Sequence, residues 1–205
     1  MSDRYQAVLL FGMPGAGKGT QGELLSRIPG FFHMSTGDMF RTLDRHSEIG
    51  KTFGEYSSRG ELVPDELTVE MWRQYVNAQT VLSLYKPRTD LLVLDGIPRT
   101  VEQTKLMKEQ IDVRGIIHLV ASNPEEMVSR LQKRAIEQKR VDDAKIDVIR
   151  NRLNIYLRET RPVLDQFDAS LVHEINAIGS PAQVLGDILR VLAPIQSAAL
   201  QTVTS

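Results

Sequence analysis

The sequence predicts an α/β fold, a three-layer sandwich in which a five-stranded parallel sheet lies between two layers of helices. The first observation is a set of short, almost wholly apolar runs, as expected for parallel strands that are covered on both faces. The second is that helical patterns separate these runs, so that each strand is followed by a helix and a right-handed crossover. The third is a glycine-rich loop that joins the first apolar run to the first helical pattern.

The individual elements follow from apolar or β-branched runs that end in turn residues, and from apolar residues at helical spacing. The predicted strands are Gln6–Phe11, Phe31–Ser35, Leu91–Leu94, Gly115–Val120 and Ser170–Ile175. Asn123 before Pro124 marks one helix start, because asparagine is a favourable N-cap and proline a favourable first helical residue. The predicted helices are Lys18–Arg27, residues 66–84, Thr100–Gln110, Pro124–Ile136, Ile146–Glu159 and Pro181–Leu192.

We expect residues 1–205 to form one domain, because this length suits a single hydrophobic core with small appended parts. Residues 36–65 interrupt the alternation of strands and helices, and we interpret them as a small helical subdomain. A shorter excursion at residues 134–143 is predicted to form a lid. The polar and small residues 196–205 are predicted to be a frayed tail.

Composition narrows the class of protein. The net charge is −1, from 25 basic and 26 acidic residues, which argues against a bulk nucleic-acid binder. The absence of cysteine excludes disulfides and thiolate zinc sites. No run approaches the roughly 18 apolar residues of a membrane span, and the first residues lack a signal-peptide pattern. We therefore expect a cytoplasmic protein with no membrane or nucleic-acid partner. The sequence has no obvious interface stripe, and we expect a monomer.

The glycine-rich loop has the spacing of a phosphate-binding loop. Gly12, Gly17 and Lys18 fit the pattern G-x-x-x-x-G-K between a predicted strand and a predicted helix. Glycines allow successive backbone N–H groups to point at phosphate oxygens, and the helix N-terminus adds a positive dipole end. The residue after the lysine is Gly19 rather than serine or threonine, and the hydroxyl follows at Thr20. A magnesium ion is therefore expected to be held mostly through water and the nucleotide.

A second anchor for a charged ligand is Asp95, which follows four apolar residues at the end of the third predicted strand. The carboxyl end of a parallel strand faces the ligand crevice, where this aspartate can hold magnesium directly or through water. Several arginines have positions that allow them to converge on the same crevice: Arg41, Arg99, Arg130, Arg134, Arg140, Arg150 and Arg152. Such a set indicates two highly charged ligands and phosphoryl transfer, which needs positioning and charge neutralisation.

A phosphate acceptor would remove the need for a general base, because the second phosphate pKa is about 6. The four histidines have no triad spacing, and His118 and His173 fall within strand patterns.

The motifs GMPGAGKGTQ, HMSTGDMFR, GELVPDELT, LDGIPRTVEQ and RVDD, in this order, resemble those of the adenylate kinases within the nucleoside monophosphate kinase family. The resemblance covers about residues 7–167, with the short form of the lid. It implies a P-loop NTPase fold and reversible transfer of the γ-phosphoryl group of Mg-ATP to AMP, which yields two ADP.

The resemblance also implies roles for particular residues. The residues expected to bind ATP are Gly15, Ala16, Gly17, Lys18, Gly19, Thr20 and Arg130. The residues expected to bind AMP are Thr36, Arg41, Val63, Gly96, Arg99 and Gln103. The catalytic set comprises Lys18, Arg99, Arg134, Arg140 and Arg152. Asp38 and Asp95 are expected to organise magnesium through water.

Two alternatives remain open at this point. One is a kinase of another nucleoside monophosphate, such as UMP, CMP or GMP. The related UMP/CMP kinases usually carry alanine and asparagine where this sequence has Thr36 and Gln103, so these two residues favour AMP. A glutamine amide can donate to adenine N1 and accept from its exocyclic amine. A nucleotide-binding protein without transferase activity is the other alternative. One extra residue before Arg152 also leaves Arg150 as a candidate for its role, since each helical residue turns by about 100°.

Overall fold

The computed structural model describes residues 4–121, 123–137 and 145–204, and its centre is one parallel sheet. The strands are β1 (Tyr5–Gly12), β2 (Phe31–Ser35), β3 (Leu91–Asp95), β4 (Ile111–Val120) and β5 (Val172–Asn176). Their spatial order is β2-β3-β1-β4-β5, and every neighbouring pair is parallel. The prediction of a five-stranded parallel sheet between helical layers is confirmed.

The helices alternate with the strands, except between β2 and β3. They are α1 (Lys18–Leu25), α2 (Thr36–Arg41), α3 (Glu48–Arg59), α4 (Asp65–Val81), α5 (Val101–Met107), α6 (Pro124–Glu137), α7 (Ile146–Ile155) and α8 (Pro181–Thr204). A π-helical turn at Tyr156–Thr160 and a 3₁₀ turn at Arg161–Gln166 continue directly from α7. Within the described ranges, no helix is long and apolar enough to cross a bilayer.

Most element boundaries differ from the sequence-based predictions by a few residues, and two of the differences have a clear cause in the structure. β4 begins at Ile111 rather than Gly115, because residues 111–113 pair with β1 beyond a register shift that the apolar pattern does not reveal. Residues 196–204 continue α8, so the prediction of a frayed tail is wrong for them. The Gln196 side-chain amide donates to the Pro29 carbonyl at 2.9 Å, and Ala199 is buried against the core. These contacts with distant parts of the chain stabilise the end of α8, whereas the polar and small residues of this segment do not by themselves predict a helix.

The hydrophobic core has two parts, one on each face of the sheet. One part packs α1, α6, α7 and α8 against the sheet, and the other packs α4 and α5, with Trp72 of α4 fully buried. Both faces of β1 and β3 are therefore covered, which explains their continuous apolar runs. This arrangement leaves the carboxyl ends of β1, β2 and β3 together at one open edge.

Candidate active site

A cleft of about 730 Å³ lies at the carboxyl edge of the sheet. All of the predicted site residues that the structure describes line it. On the side of the phosphate loop these are Gly15, Ala16, Gly17, Lys18, Gly19, Thr20, Arg130, Arg134 and Arg152. Around α2 and the end of β3 they are Thr36, Asp38, Arg41, Val63, Asp95, Gly96, Arg99 and Gln103. Arg140, and most of the predicted lid, lie outside the described residues.

The phosphate loop connects β1 to α1. Gly12, Gly15 and Gly17 adopt φ angles of 145°, 91° and 93°, which are accessible to glycine and rarely to other residues. The Lys18 ammonium donates to the Gly12 carbonyl at 2.6 Å and to the Met13 carbonyl at 3.1 Å. α1 begins at Lys18, so the positive end of its dipole points into the cleft. The loop therefore has the geometry of an anion-binding cradle.

The electrostatic environment of Lys18 is unusual for a lysine. Burial lowers its pKa to about 8, and the carboxylate of Asp95 opposes this shift. Three neighbouring guanidinium groups lower the pKa further, those of Arg99, Arg134 and Arg152. The cleft thus concentrates positive charge that an anionic ligand would stabilise.

Asp95 is the acidic group at the centre of the site. It ends β3, it is 8% exposed, and its Oδ2 lies 3.8 Å from the Nε2 of His33 in the neighbouring strand. Burial acts to raise the Asp95 pKa, but His33, Lys18 and Arg99 together outweigh it and lower that pKa. The carboxylate is therefore ionised at neutral pH.

The turn after β3 forms a second group of polar contacts. The Gly96 carbonyl accepts from the Thr36 hydroxyl at 2.9 Å and from the Arg99 Nε–H at 2.8 Å. Burial lowers the pKa of Arg99 to about 10, and the nearby charge of Arg152 contributes to the shift. A guanidinium group with a depressed pKa in a ligand-sized cleft is a candidate for binding a second anion.

Gln103, at the start of α5, is 1% exposed and is hydrogen-bonded at both ends of its amide. Its Oε1 accepts from the Arg99 backbone N–H at 2.7 Å, and its Nε2 donates to Asp65 Oδ1 at 2.8 Å. Sequence analysis missed Asp65, although it stands directly after Pro64 at the start of a helical pattern. An acidic residue in that position ordinarily indicates only a helix N-terminus, so no local signal identified its partner.

The remaining arginines occupy different parts of the cleft. Arg130 donates to the Ala177 carbonyl at 3.1 Å and to Glu126 at 2.8 Å. Arg134 and Arg152 line the cleft, whereas Arg150 is exposed and does not. Of the two candidates in α7, the structure therefore places Arg152 near the phosphate loop. Arg41 forms an ion pair with Asp38 at 2.7 Å at the entrance.

Tyr156 was also missed by sequence analysis. It lines the cleft at the start of the π-helical turn, and its hydroxyl lies 3.1 Å from the Nε2 of His118 in β4. The other ring nitrogen of His118 is 3.3 Å from Glu174. Burial lowers the pKa of His118, and Glu174 opposes that shift. The sequence carries no pattern for a π-helical turn, which shifts side chains relative to ordinary helical spacing.

The fold and the cleft define a phosphotransferase of the P-loop class, with an anion-binding loop beside a second arginine-containing subsite. Comparison with known proteins gives the family. The family described as "Adenylate kinase" matches residues 10–172 of this chain. The chain belongs to the adenylate kinase family.

Individual relatives agree over most of their length. The adenylate kinase of Parabacteroides distasonis is 36% identical over 187 residues, which cover 88% of this chain and 94% of that protein. The adenylate kinase of Kocuria rhizophila is 37% identical over 191 residues, covering 90% and 97%. The adenylate kinase of Nocardia farcinica is 37% identical over 189 residues, covering 90% and 98%.

Proposed function

We propose that this protein transfers the γ-phosphoryl group of ATP to AMP in a reversible reaction that yields two ADP. The observation that carries the proposal is that Lys18 and Arg99, both partly buried, line one cleft in which each has a depressed pKa. The charged forms of two such neighbouring cations are stabilised when polyanionic ligands neutralise them. Membership of the adenylate kinase family supports the same reaction.

On the donor side, we assign the triphosphate of ATP to the loop from Gly12 to Thr20. Its backbone N–H groups and Lys18 would bind the β- and γ-phosphates. We assign the adenine to the neighbourhood of Arg130, whose guanidinium is anchored by Glu126. Arg134 and Arg152 would neutralise the charge that develops on the transferred phosphoryl group, and Arg140 is assigned to the same role by resemblance alone.

On the acceptor side, we assign AMP to the subsite beside the turn after β3. Arg99 and Arg41 would bind its phosphate, Thr36, Val63 and Gly96 would border the nucleoside, and Gln103 would face the edge of the adenine base. An AMP phosphate is largely a dianion at neutral pH, because its second pKa is about 6. Its oxygen can attack the γ-phosphorus without a general base, so orientation and charge neutralisation supply the catalysis.

Magnesium fits this site as an ion that enters with the nucleotide. Among the described residues, no cluster of three acidic or histidine side chains could form a protein-only metal cage. Asp95 provides one ionised carboxylate beside the phosphate loop, and one or two carboxylates with substrate phosphates are the usual surroundings of magnesium. We assign Asp95 and Asp38 to its hydration shell. When bound, the ion neutralises charge on the β- and γ-phosphates.

We propose that residues 36–65 close over AMP and that residues 134–143 close over ATP. Closure would exclude water, which otherwise would accept the phosphoryl group and hydrolyse ATP. In the structure, α3 already approaches α7, since the Asn151 side chain donates to the Arg59 carbonyl at 2.7 Å. The monomeric state and the cytoplasmic location stay predictions, and light scattering coupled to size-exclusion chromatography would test the first.

The proposal is tested by measuring ADP release with AMP, UMP, CMP and GMP as acceptors, with and without magnesium. We expect AMP to be preferred and magnesium to be required. Lys18→Ala and Arg99→Ala should each lower kcat/KM by orders of magnitude while the protein stays folded. Near-normal turnover in both variants would refute the assignments.

A matched pair of variants in α7 separates position from charge. Arg152→Ala is expected to lower kcat strongly, whereas Arg150→Ala, which removes the same charge from an exposed position of the same helix, should leave it nearly unchanged. Equal losses in the two variants would contradict the placement of Arg152 at the transferred phosphoryl group.

A further inference from the structure

The amide of Gln103 is held in one orientation by partners of opposite kind. Its carbonyl oxygen accepts from a donor, the backbone N–H of Arg99, at 2.7 Å. Its NH₂ group donates to an acceptor, the carboxylate of Asp65, at 2.8 Å. The side chain is buried, and Asp65 is 38 residues away in the sequence, at the first residue of α4.

A glutamine amide without such partners can rotate by half a turn, because its oxygen and nitrogen are almost identical in size. Here the rotation would place Oε1 against the carboxylate of Asp65 and the NH₂ group against the Arg99 N–H. Acceptor would then face acceptor at Asp65, and donor would face donor at Arg99. Both pairs lie in a buried site, where unsatisfied polar groups are costly. The rotated state is therefore disfavoured at both ends.

The orientation matters because Gln103 lines the cleft and keeps unused hydrogen-bonding capacity. One hydrogen of Nε2 and one lone pair of Oε1 remain after the two contacts are made. Adenine presents an acceptor at N1 and a donor at its exocyclic amine, which match that pair. Hypoxanthine and guanine present a donor at N1 and an acceptor at O6, which match only the rotated amide.

We propose that Asp65 is a specificity-determining positioning residue, which fixes the Gln103 amide in the orientation that accepts an adenine base and rejects a 6-oxopurine. The inference rests on the proposed function, since it requires the AMP base to lie against Gln103. Asp65 touches neither substrate in this proposal. It acts through Gln103: without Asp65, only the backbone N–H of Arg99 opposes the rotated amide, so a 6-oxopurine is rejected less strongly.

The test compares AMP with IMP as acceptors in wild-type protein, Asp65→Asn and Asp65→Ala. The two nucleotides have nearly the same size and differ at the edge of the base. The kcat/KM for AMP divided by that for IMP therefore reports hydrogen-bond discrimination. We expect this ratio to fall by about 10- to 100-fold in both variants, mainly through a lower KM for IMP. At saturating AMP, kcat should change little. Because the ratio is taken within one preparation, partial misfolding cancels from it.

Glu66→Gln is the matched control. Glu66 is the exposed neighbour of Asp65 in the first turn of α4, so its replacement removes the same charge from the same helix end. We expect the AMP to IMP ratio of this variant to equal that of the wild type. A fall as large as in Asp65→Asn would show that helix-end charge, rather than the hydrogen bond to Gln103, sets the preference, and would overturn the proposal.

Gln103→Leu separates this inference from the proposed function. If its KM for AMP equals the wild-type value, the base does not lie against Gln103, and the assignment of the acceptor subsite fails. If Gln103→Leu weakens AMP binding while Asp65→Asn and Asp65→Ala keep the wild-type ratio, the acceptor subsite stands and the role of Asp65 is refuted.

Discussion

Replacing Gly12 by alanine tests how closely the phosphate loop is attached to the sheet. Gly12 is the last residue of β1, has a φ of 145°, and lies opposite Leu119 of β4. An added Cβ would stand 2.6 Å from the Leu119 carbonyl oxygen and 3.0 Å from its Cβ. The oxygen belongs to the backbone of a central strand, so no side-chain rotation can relieve the contact.

Two unfavourable contributions add at this position. A sparsely populated backbone conformation costs about 1–3 kcal/mol for a residue with a side chain. Overpacking of a close-packed site costs about 1–3 kcal/mol as well. We therefore expect Gly12→Ala to lower the free energy of unfolding by about 2–6 kcal/mol.

Two other glycines separate these contributions. Gly17 has a φ of 93°, but a Cβ there would meet nothing within 4 Å, so Gly17→Ala should cost only about 1–2 kcal/mol. Gly54 lies within α3 with open space around it, so Gly54→Ala should raise the free energy of unfolding by about 0.5–1 kcal/mol.

Urea unfolding of the three variants, followed by far-ultraviolet circular dichroism, measures these free energies directly. The expected order of stability is Gly54→Ala, wild type, Gly17→Ala and then Gly12→Ala. If Gly12→Ala loses no more than Gly17→Ala, contact with Leu119 contributes nothing, and the reasoning from the added Cβ is refuted.

Three further predictions concern charge and packing. The pKa of Lys18 is about 8 without ligand, and phosphate binding needs the charged form of this lysine. The charged fraction falls about fivefold between pH 8 and pH 9, so ATP affinity measured by calorimetry should fall by the same factor. Lys18→Arg should show no such fall, and an equal fall in that variant would contradict the assignment. Burial lowers the pKa of His118 in the folded protein. As the pH drops below about 6.5, the unfolded chain therefore takes up a proton at this residue, whereas the folded protein does not. The free energy of unfolding should therefore decrease on acidification, by at most about 1.4 kcal/mol per pH unit, and His118→Gln, which can still bond to Tyr156, should show a shallower decrease in urea titrations. Identical slopes in the two proteins would rule out this role for His118. Trp72 is fully buried, so Trp72→Ala should lower the free energy of unfolding by about 3–5 kcal/mol, and a loss below about 2 kcal/mol would show that the site collapses around the cavity.

Much of the fold was accessible from local patterns. The apolar runs predicted all five strands. β1 and β3 are covered on both faces and are therefore apolar along most of their length, whereas the edge strand β5 was predicted from apolar and β-branched residues that are only partly buried. The phosphate loop and Asp95 were predicted because glycine spacing and a strand-terminal carboxylate are contiguous features of the chain. The described members of the predicted site do line one cleft, since parallel strands bring their carboxyl ends to the same edge.

Other features depend on contacts between distant residues. The end of α8 was mispredicted because Gln196 bonds to Pro29, which is 167 residues away. Tyr156 contacts His118, which is 38 residues away in the sequence, and it begins a π-helical turn that no residue pattern indicates.

Short stretches of the chain determine the order of strands and helices, the anion-binding loop and the kind of chemistry, because each of these depends on the properties of neighbouring residues. The orientation of the Gln103 amide and the choice of Arg152 over Arg150 at the cleft are not. Both are set by helix packing, which brings together side chains whose separation along the chain carries no signal of their contact.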